Sequence, residues 1–496
     1  MGCPRQRPPQ SRRVHHSRID DALLPPPLSR RDFLVRQAHG IGLFALSHLL
    51  ARAGRAAPGL ETSSRFGPRP PHHEPQAKNI ILIFMAGGPS HLDLFDPKPQ
   101  MKTWDGQPPP DGLVEPGIMA GGVMASPRSF QHHGQSGVEF SDYLPHTGAI
   151  ADDLCVIRSL HTDQGNHDPA QLLFHCGTPL LGRPGIGAWV NYGLGSVSQD
   201  MPGYIVLSSG KAVYARNALA GNGFLPSRFR GVNVRTSGEP ILFLKNPAGV
   251  NANTQRARLD ALRDLNELHL AGTGDGEIAS RIDSYEMAFR MQSAAPGLLD
   301  LSGEPEAMHT MYGLDRDETR AFGTNCLLAR RMVERGVRFV QLMHSTWDDH
   351  GDLNKKLKEN CLMTDLPCAA LVRDLKQRGL LDETLVVWAG EFGRTPMAEN
   401  HFGGGPGPEP GREGRDHHPH AFSIWMAGGG LKRGHVHGRT DDFGYHVVED
   451  GVHVHDLQAT ILHLLGLNHE RLTYRHAGRD FRLTDVGGKV VDGIIA

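Results

Sequence analysis

The 496-residue chain has few cysteines, few aromatic residues and almost no net charge. Its six cysteines form no CxxC pair and show no even spacing, which argues against a zinc knuckle or a disulfide scaffold and favours small core residues. The net charge of −2 gives no electrostatic basis for binding nucleic acid or an anionic membrane surface. Hydrophobic residues still make up 39% of the chain, enough for a large packed core.

The chain also lacks an apolar run long enough to span a bilayer. The run at 41–51, IGLFALSHLLA, is short and contains His48. It follows Arg30 and Arg31 and precedes small residues, which is the pattern of a twin-arginine export signal. An amphipathic helix with a chance arginine pair is the alternative. We predict a signal segment at 1–57, export to the periplasm or the extracellular space, and no stable membrane span after processing.

Residues 58–77 are rich in proline and lack periodicity, so they predict a linker before a single domain at 78–496. In that domain, apolar strands alternate with helices, which favours a mostly parallel sheet covered on both faces. The predicted strands are 79–85, 155–160, 204–207, 240–244, 337–343, 384–388 and 422–426. The predicted helices are 166–174, two between 253 and 292, 318–335, 353–378 and 455–465, and 97–137 is predicted to be loop.

Three predicted strands are bordered by acidic residues and histidines. FVQLMHSTWDDHGD covers 339–352, TLVVWAGEFGRT covers 384–395, and GRDHHPHAFSIWMAGGG covers 414–430. In open α/β sheets, ligands bind beyond the carboxyl ends of the strands. Carboxylates and imidazoles gathered there are ligands of divalent metals. The pattern predicts a metal-dependent hydrolase, and it leaves zinc, calcium, magnesium and manganese open as the divalent metal ion.

Several pieces of the chain together resemble a known family: GGPSHLDLFDPKP, NHDPAQLLFHCG, GRPGIGAWVNYGLG, WDDHGD, LLDETLVVWAGEFGRTP, GRDHHPHAFSIWMAGGG and HDLQATILHLLGL. This is the domain-of-unknown-function family 1501, which is sulfatase-like and belongs to the alkaline phosphatase superfamily. The resemblance covers about residues 78–490. It implies an alkaline-phosphatase-like three-layer α/β/α sandwich with a mostly parallel central sheet and a metal site at the carboxyl edge of that sheet.

Asp348 and His350 lie two residues apart in a predicted extended loop, so both side chains could reach one metal. The resemblance implies the same role, because the superfamily binds metal through an Asp and a His at this stage of the chain. It also implies that His417 is a metal ligand, with Asp416 as a further ligand or as its hydrogen-bonding partner. The alternative for 348–350 is a solvated acidic loop that caps the next helix.

Glu391 follows the strand 384–388 at the place where the superfamily usually has Asp-His-Gly. The carboxylate ligand is therefore kept and the neighbouring histidine is lost. Arg394 could bind an anionic oxygen or form a structural ion pair with Glu391. Asp93 is the nearest match to the metal-binding acid that the superfamily places after the first strand. Ser90 could be a ligand, a nucleophile or a helix cap.

Sulfatases carry a nucleophilic Cys or Ser in a Cys-x-Pro-x-Arg motif at a helix start, where free amides hold the sulfate or phosphate. The matching stretch here reads His-Asp-Pro-Ala-Gln at 167–171. Because no formylglycine can form from histidine, we do not expect the standard sulfatase mechanism. His167 could be a nucleophile, a metal ligand or a general base, and we favour ligand or base. Asn166 could stabilise an oxyanion.

Together these assignments predict an exported metal-dependent hydrolase of anionic esters, phosphate or sulfate, whose substrate is small or polymeric. A metal-activated water or nucleophile would attack the ester. The alternative is a non-catalytic exported metal-binding or scaffold protein that retains the sulfatase-like fold. The predicted catalytic residues are His167, Ser90, Arg394 and Asn166, and the predicted metal ligands are Asp348, His350, Glu391, Asp416, His417 and Asp93.

Overall fold

The structure is a computed structural model that describes residues 67–114, 121–210, 216–235, 246, 249–399 and 411–496. The predicted signal segment at 1–57 and the predicted strand at 240–244 lie outside the described residues. The first part of the predicted linker, 58–66, lies outside them as well.

The described residues alternate between strands and helices. The strands are β1 Asn79–Ala86, β2 Phe130–His133, β3 Val138–Ser141, β4 Leu154–His161, β5 Tyr204–Gly210, β6 Val232–Val234, β7 Phe339–Ser345, β8 Thr384–Ala389, β9 Gly393–Ala398, β10 Arg415–His418, β11 Phe422–Ala427, β12 His435–His437, β13 Arg439–Thr440, β14 Val447–Glu449, β15 Val452–His453, β16 Tyr474–His476 and β17 Arg479–Phe481. The helices are α1 His91–Leu94, α2 Met101–Trp104, α3 Pro145–Gly148, α4 His167–Cys176, α5 Ile186–Leu194, α6 Arg216–Leu219, α7 Ala252–Thr273, α8 Gly276–Leu299, α9 Glu306–Met311, α10 Asp317–Glu334, α11 Leu353–Gln377 and α12 Val454–Leu464.

Nine strands of the described residues form the central sheet. Eight of them run in the order β12-β4-β11-β8-β1-β7-β5-β6, and β15 also pairs with β4. Strand β11 is antiparallel to its neighbours β4 and β8. The other pairs of this sheet are parallel. The prediction of a mostly parallel sheet is therefore confirmed.

Strand β1 shows why the sheet is covered on both faces. All but its first residue are buried. Ile80, Leu82 and Phe84 belong to one core, with α4, α5 and α12. Ile81 and Ile83 belong to the other core, with α10 and α11. Because side chains alternate along a strand, a continuous apolar run of this kind needs a helical layer on each face. The result is a three-layer α/β/α sandwich, as the resemblance implies.

Some element ends differ from the prediction. Strand β7 ends at Ser345, two residues later than predicted, because its ladders with β1 and β5 continue through His344 and Ser345. The segment 97–137 contains α2 and β2 and is not loop throughout. Strand β2 is a polar strand that pairs with β3 in an antiparallel hairpin, so it shows no apolar run in the sequence.

The residues just before β1 are attached to the domain. His72 N donates to Gly466 O, and Gln76 N donates to Leu464 O. Ala77 is only 1% exposed. The end of the predicted linker therefore runs along the C-terminal end of α12.

The five described cysteines are buried and form no disulfide with one another. They lie in β4, α4, α10 and α11, within the two cores. Among the described residues, we find no helix with an apolar stretch long enough to cross a bilayer.

Candidate metal centre

Four side chains from three separate segments meet at the carboxyl edge of the sheet. His167 begins α4, Asp348 and His350 follow β7, and His417 lies in β10. One possible ligand atom from each lies within 4.8 Å of the others. Asp348 Oδ1 lies 2.8 Å from His350 Nε2. It also lies 3.2 Å from His167 Nε2 and 3.3 Å from His417 Nε2. We call these four residues the ligand group.

Each imidazole of the ligand group is held through its other nitrogen. The Nδ1 pairs are His167 with Glu391 Oε1 at 2.8 Å, His417 with the Gly165 carbonyl at 2.9 Å, and His350 with Glu399 Oε2 at 2.5 Å. Because carbonyls and carboxylates accept hydrogen bonds, each Nδ1 is the donor, and each Nε2 can give its lone pair to a cation once it has released any proton. His350 Nε2 and His417 Nε2 are 2.9 Å apart. Converging lone pairs of this kind fit a divalent cation.

The charges of the ligand group also shift its pKa values. Burial raises the pKa of Asp348, but hydrogen bonds from the three imidazoles and from Arg394 hold it well below its usual range. Burial lowers the pKa of His167, but hydrogen bonds to two carboxylates raise it to about 9. The Asp348 hydrogen bond raises the pKa of His350, whereas burial lowers that of His417. A cation that binds here must therefore displace a proton.

Glu391 is fully buried and lies behind His167, outside the ligand group. Its carboxylate accepts hydrogen bonds from Gly87 N at 2.9 and 3.1 Å and from Gln171 Nε2 at 2.8 Å. Burial raises the pKa of Glu391, but the hydrogen bond and charge of His167 outweigh burial and lower it. Glu391 therefore stays ionised and orients the His167 ring.

Arg394 is fully buried and holds Asp348. Its Nη2 donates to Asp348 Oδ1 at 2.8 Å. The same guanidinium donates to the carbonyl groups of Gly87, Gly88, Trp347 and Arg415. The structure therefore pairs Arg394 with Asp348 and the surrounding backbone, and its guanidinium donors are committed to the protein.

Asp93 and Ser90 lie in a separate buried network. Asp93 Oδ2 is 2.9 Å from Arg415 Nε, and Ser90 Oγ donates to the same oxygen. Burial raises the pKa of Asp93, but the charge of Arg415 outweighs burial and lowers it. The structure therefore places both residues outside the ligand group, in an ion pair that joins α1 to β10.

Asn166 and Asp416 flank the ligand group. Asn166 is exposed at the N-cap of α4, and its side chain makes no capping hydrogen bond. Asp416 Oδ1 accepts a hydrogen bond from His417 N at 2.7 Å. With Glu399 and His350, Asp416 forms a second set of possible ligands that shares His350 with the ligand group.

Close backbone approaches bring the segments together. Gly87 has a φ of +123°, and a β-carbon there would lie 2.5 Å from Asp348 N. A β-carbon at Gly414 would lie 2.1 Å from the carbonyl carbon of His350. Thr346, just before the loop that carries Asp348, has a φ of 151°, which is strained for a β-branched residue. Glycine at these two contacts therefore lets the three segments converge.

Sequence reasoning missed Glu399, Gln171 and Gly165. Strands β9 and β10 pair as an antiparallel ribbon that the sequence analysis did not predict. This ribbon brings Glu399 to the His350 side chain. The signal available in the sequence was the short alternating stretch GRTPMA followed by an acid, which is weak evidence for a strand.

A comparison with protein-family models shows which family the chain belongs to. A sequence model described as "Protein of unknown function (DUF1501)" matches residues 77–495. The chain belongs to this family. A search of curated proteins found no match.

Three solved structures illustrate which proteins this DUF1501 chain is similar to. One is the lipoteichoic acid synthase of Listeria monocytogenes, with 9% identity, 88% of this chain and 79% of that chain covered, and a TM-score of 0.32. Another is a protein in the alkaline phosphatase superfamily from Vibrio parahaemolyticus. The two chains are 10% identical, the match covers 86% of this chain and 75% of that chain, and the TM-score is 0.34. A third is a sulfatase from Pseudoalteromonas sp., with 12% identity, 87% and 72% covered, and a TM-score of 0.33.

Proposed function

We propose that this DUF1501 protein is a metal-dependent hydrolase of phosphate or sulfate esters. The ligand group would hold one divalent ion through three imidazoles and one carboxylate. One observation carries this proposal: each imidazole is fixed through Nδ1, and the three Nε2 atoms converge with Asp348 Oδ1. Hydrogen bonds that orient histidines in this way are typical of metal ligands.

The ligand chemistry narrows the choice of ion. Three nitrogens and one oxygen suit zinc or another transition metal, whereas calcium and magnesium prefer oxygen ligands. A bound ion of this kind would polarise an ester oxygen and lower the pKa of a water molecule. We therefore expect zinc to be bound in preference to manganese, calcium or magnesium.

The chain's own residues supply positioning and charge. Arg394 and Glu391 hold Asp348 and His167 from behind. The first-turn amides of α4, which begins at His167, lack helical partners and favour an anionic ester nearby. The Ser90 hydroxyl is buried and donates to Asp93. These contacts support attack by water over attack by Ser90.

The alternative is a metal-binding protein without catalysis, and one observation favours it. Arg394 is the cation predicted to hold the ester, and its donors bind Asp348 and backbone carbonyls. A protein that kept only the metal would show the same contacts.

The test uses the full chain, stripped of metal and reloaded with zinc, manganese, magnesium or calcium in turn. We expect one ion per chain and turnover of aryl phosphates or aryl sulfates that depends on that ion. One tightly bound ion with no turnover of either ester class would contradict the hydrolase and support the non-catalytic alternative. Absence of bound metal would contradict both.

We also propose export by the twin-arginine route to the periplasm or the extracellular space. The arginine pair at 30–31 and the weakly apolar run at 41–51 support it. The substrate would then be a small or polymeric anionic ester outside the cytoplasm.

A further inference from the structure

Apart from the ligand group, a serine and a histidine form a pair at the carboxyl edge of the sheet, on β5 and β7. Ser209 Oγ is 3.0 Å from His344 Nδ1. The two residues are register partners in parallel strands, and each is the last but one of its strand. Ser209 is half-buried, whereas His344 is only 2% exposed. A hydroxyl at the rim of the sheet thus faces an imidazole below it.

The environment of His344 keeps its imidazole neutral. Its ring packs edge-on against Phe322 of α10, with centroids 5.0 Å apart. Burial lowers the pKa of His344 to about 4 and is the cause of the shift. A neutral imidazole can accept the proton of a neighbouring hydroxyl at physiological pH.

The polar atoms around this imidazole are not all satisfied. His344 Nε2 is buried and has no hydrogen-bond partner among the described residues. Buried polar groups are normally paired, so this unpaired nitrogen leaves the ring held through Nδ1 and through its packing against Phe322.

We propose that Ser209 and His344 form a nucleophile–base pair that reacts with activated carboxylic esters, independently of the ligand group. A nucleophile and base within hydrogen-bond reach are the minimal unit of covalent catalysis by serine.

The reaction would run in two steps. First, the Ser209 Oγ–H proton passes to His344 Nδ1 while Oγ bonds to the acyl carbon. The bond from that carbon to the leaving oxygen breaks, and His344 returns the proton to the leaving group. Water then adds to the acyl carbon and displaces Ser209 Oγ, which releases the carboxylic acid and restores the hydroxyl.

Ser208 provides a matched control. It precedes Ser209 in β5, so its side chain points to the opposite face of the sheet. Its hydroxyl is buried, and no described residue hydrogen-bonds to it. Ser208→Ala therefore removes an identical group without touching the pair.

The experiment treats the full chain, as purified and after chelation, with a fluorophosphonate probe and with p-nitrophenyl acetate. We expect one adduct, located on Ser209 by peptide mass spectrometry, in both preparations. Ser209→Ala should abolish it, and Ser208→Ala should label at the wild-type rate. His344→Gln should slow labelling by about 10²- to 10⁴-fold.

Thermal melting checks that each variant is folded. If His344→Gln does not fold, the mass of the wild-type adduct decides alone. An adduct on Ser209 supports the pair, and no adduct on Ser209 in folded wild-type protein overturns it. Equal labelling of folded His344→Gln overturns it too, because Ser209 would then react without a base.

Discussion

Asp348 contacts every imidazole of the ligand group. Arg394 binds the same oxygen from the buried side. A divalent ion would add positive charge in front of a carboxylate that already has an arginine behind it. The buried arginine therefore fixes the direction in which Asp348 Oδ1 points. The three imidazoles supply the other possible ligands of the group.

Replacing one ligand should remove the ion. We expect His417→Ala to lose most bound metal, since it deletes one of four ligands and breaks the contact with His350 Nε2. His420→Ala is the matched control, because His420 is exposed and lies outside the ligand group. Metal content is measured by elemental mass spectrometry after gel filtration. Full metal retention in His417→Ala would contradict the assignment.

Replacing a residue that hydrogen-bonds to a ligand should weaken metal binding less than replacing the ligand itself. Glu391→Gln keeps the size of the side chain and removes the charge that accepts from His167. We expect metal affinity to fall about 10- to 100-fold, as is typical when a hydrogen-bonding partner of a ligand is lost. Competition with a chromophoric chelator gives the affinity. Glu399→Gln, behind His350, should weaken binding similarly, and unchanged affinity in both variants would argue against the oriented tautomers.

Metal affinity should also rise with pH. Two carboxylates raise the pKa of His167 to about 9 despite burial, so below that pH the ring carries a proton that a cation must displace. If one proton is released, the binding constant rises about tenfold per pH unit below roughly pH 9 and then levels off. Isothermal titration in buffers with different ionisation enthalpies measures this proton release. Affinity that stays constant from roughly pH 6 to 8 would show that His167 does not bind the ion.

At the scale of elements, the sequence predicts the strands and helices that a local pattern of apolar residues specifies. Strand β1 and strand β8 are continuous apolar runs, so they could be recognised as buried strands. The β9–β10 ribbon could not, because it is short, polar and interrupted by a register shift between Arg415 and His417. The sheet order could not be read either, since it depends on pairings between segments far apart in the chain.

The difference between local pattern and long-range contact also applies to the site. Strand ends and the family resemblance predict Asp348, His350 and His417 as ligands, and the structure brings them together with His167. The sequence also predicts Glu391 and Asp93 as ligands, yet Glu391 pairs with His167 and Asp93 pairs with Arg415. Partner choice of this kind is a long-range contact that no local pattern in the sequence specifies.

The junction after β1 is expected to be sensitive to one added methyl group. Gly87→Ala would place a β-carbon 2.5 Å from Asp348 N, at a φ of +123°. We expect a loss of stability of about 1–2 kcal/mol from the backbone conformation and of about 1–3 kcal/mol more from overpacking, together with weaker metal binding. Urea unfolding and metal content measure the two effects.

Gly106→Ala is the control for that change. Gly106 also has a positive φ, +74°, but nothing lies within 4 Å of its added β-carbon. We expect only the loss from backbone conformation and unchanged metal content. If Gly87→Ala behaves like Gly106→Ala, the close approach to Asp348 does not organise the site.

At the scale of the whole molecule, the export hypothesis has a direct test. Arg30→Lys together with Arg31→Lys keeps the charge and removes the twin-arginine pair. We expect the precursor to accumulate in the cytoplasm, measured by fractionation and immunoblotting of the full chain. Arg12→Lys with Arg13→Lys, an arginine pair not followed by an apolar run, is the control and should leave export unchanged. Export of the Arg30/Arg31 double variant at the wild-type level would contradict the signal.

His417 and β11 follow the other ligands of the group in the chain, which bears on when an ion could be bound. The ligands occur at 167, 348, 350 and 417, and the next strand, β11, lies inside the sheet between β4 and β8. A nascent chain on the ribosome thus lacks the fourth of these ligands until residue 417 has been made, and its central sheet is incomplete until β15 has been made at 452–453. An ion would therefore be captured only after most of the described domain has been synthesised, so the free-metal pool of the compartment in which the chain folds would decide which ion is bound.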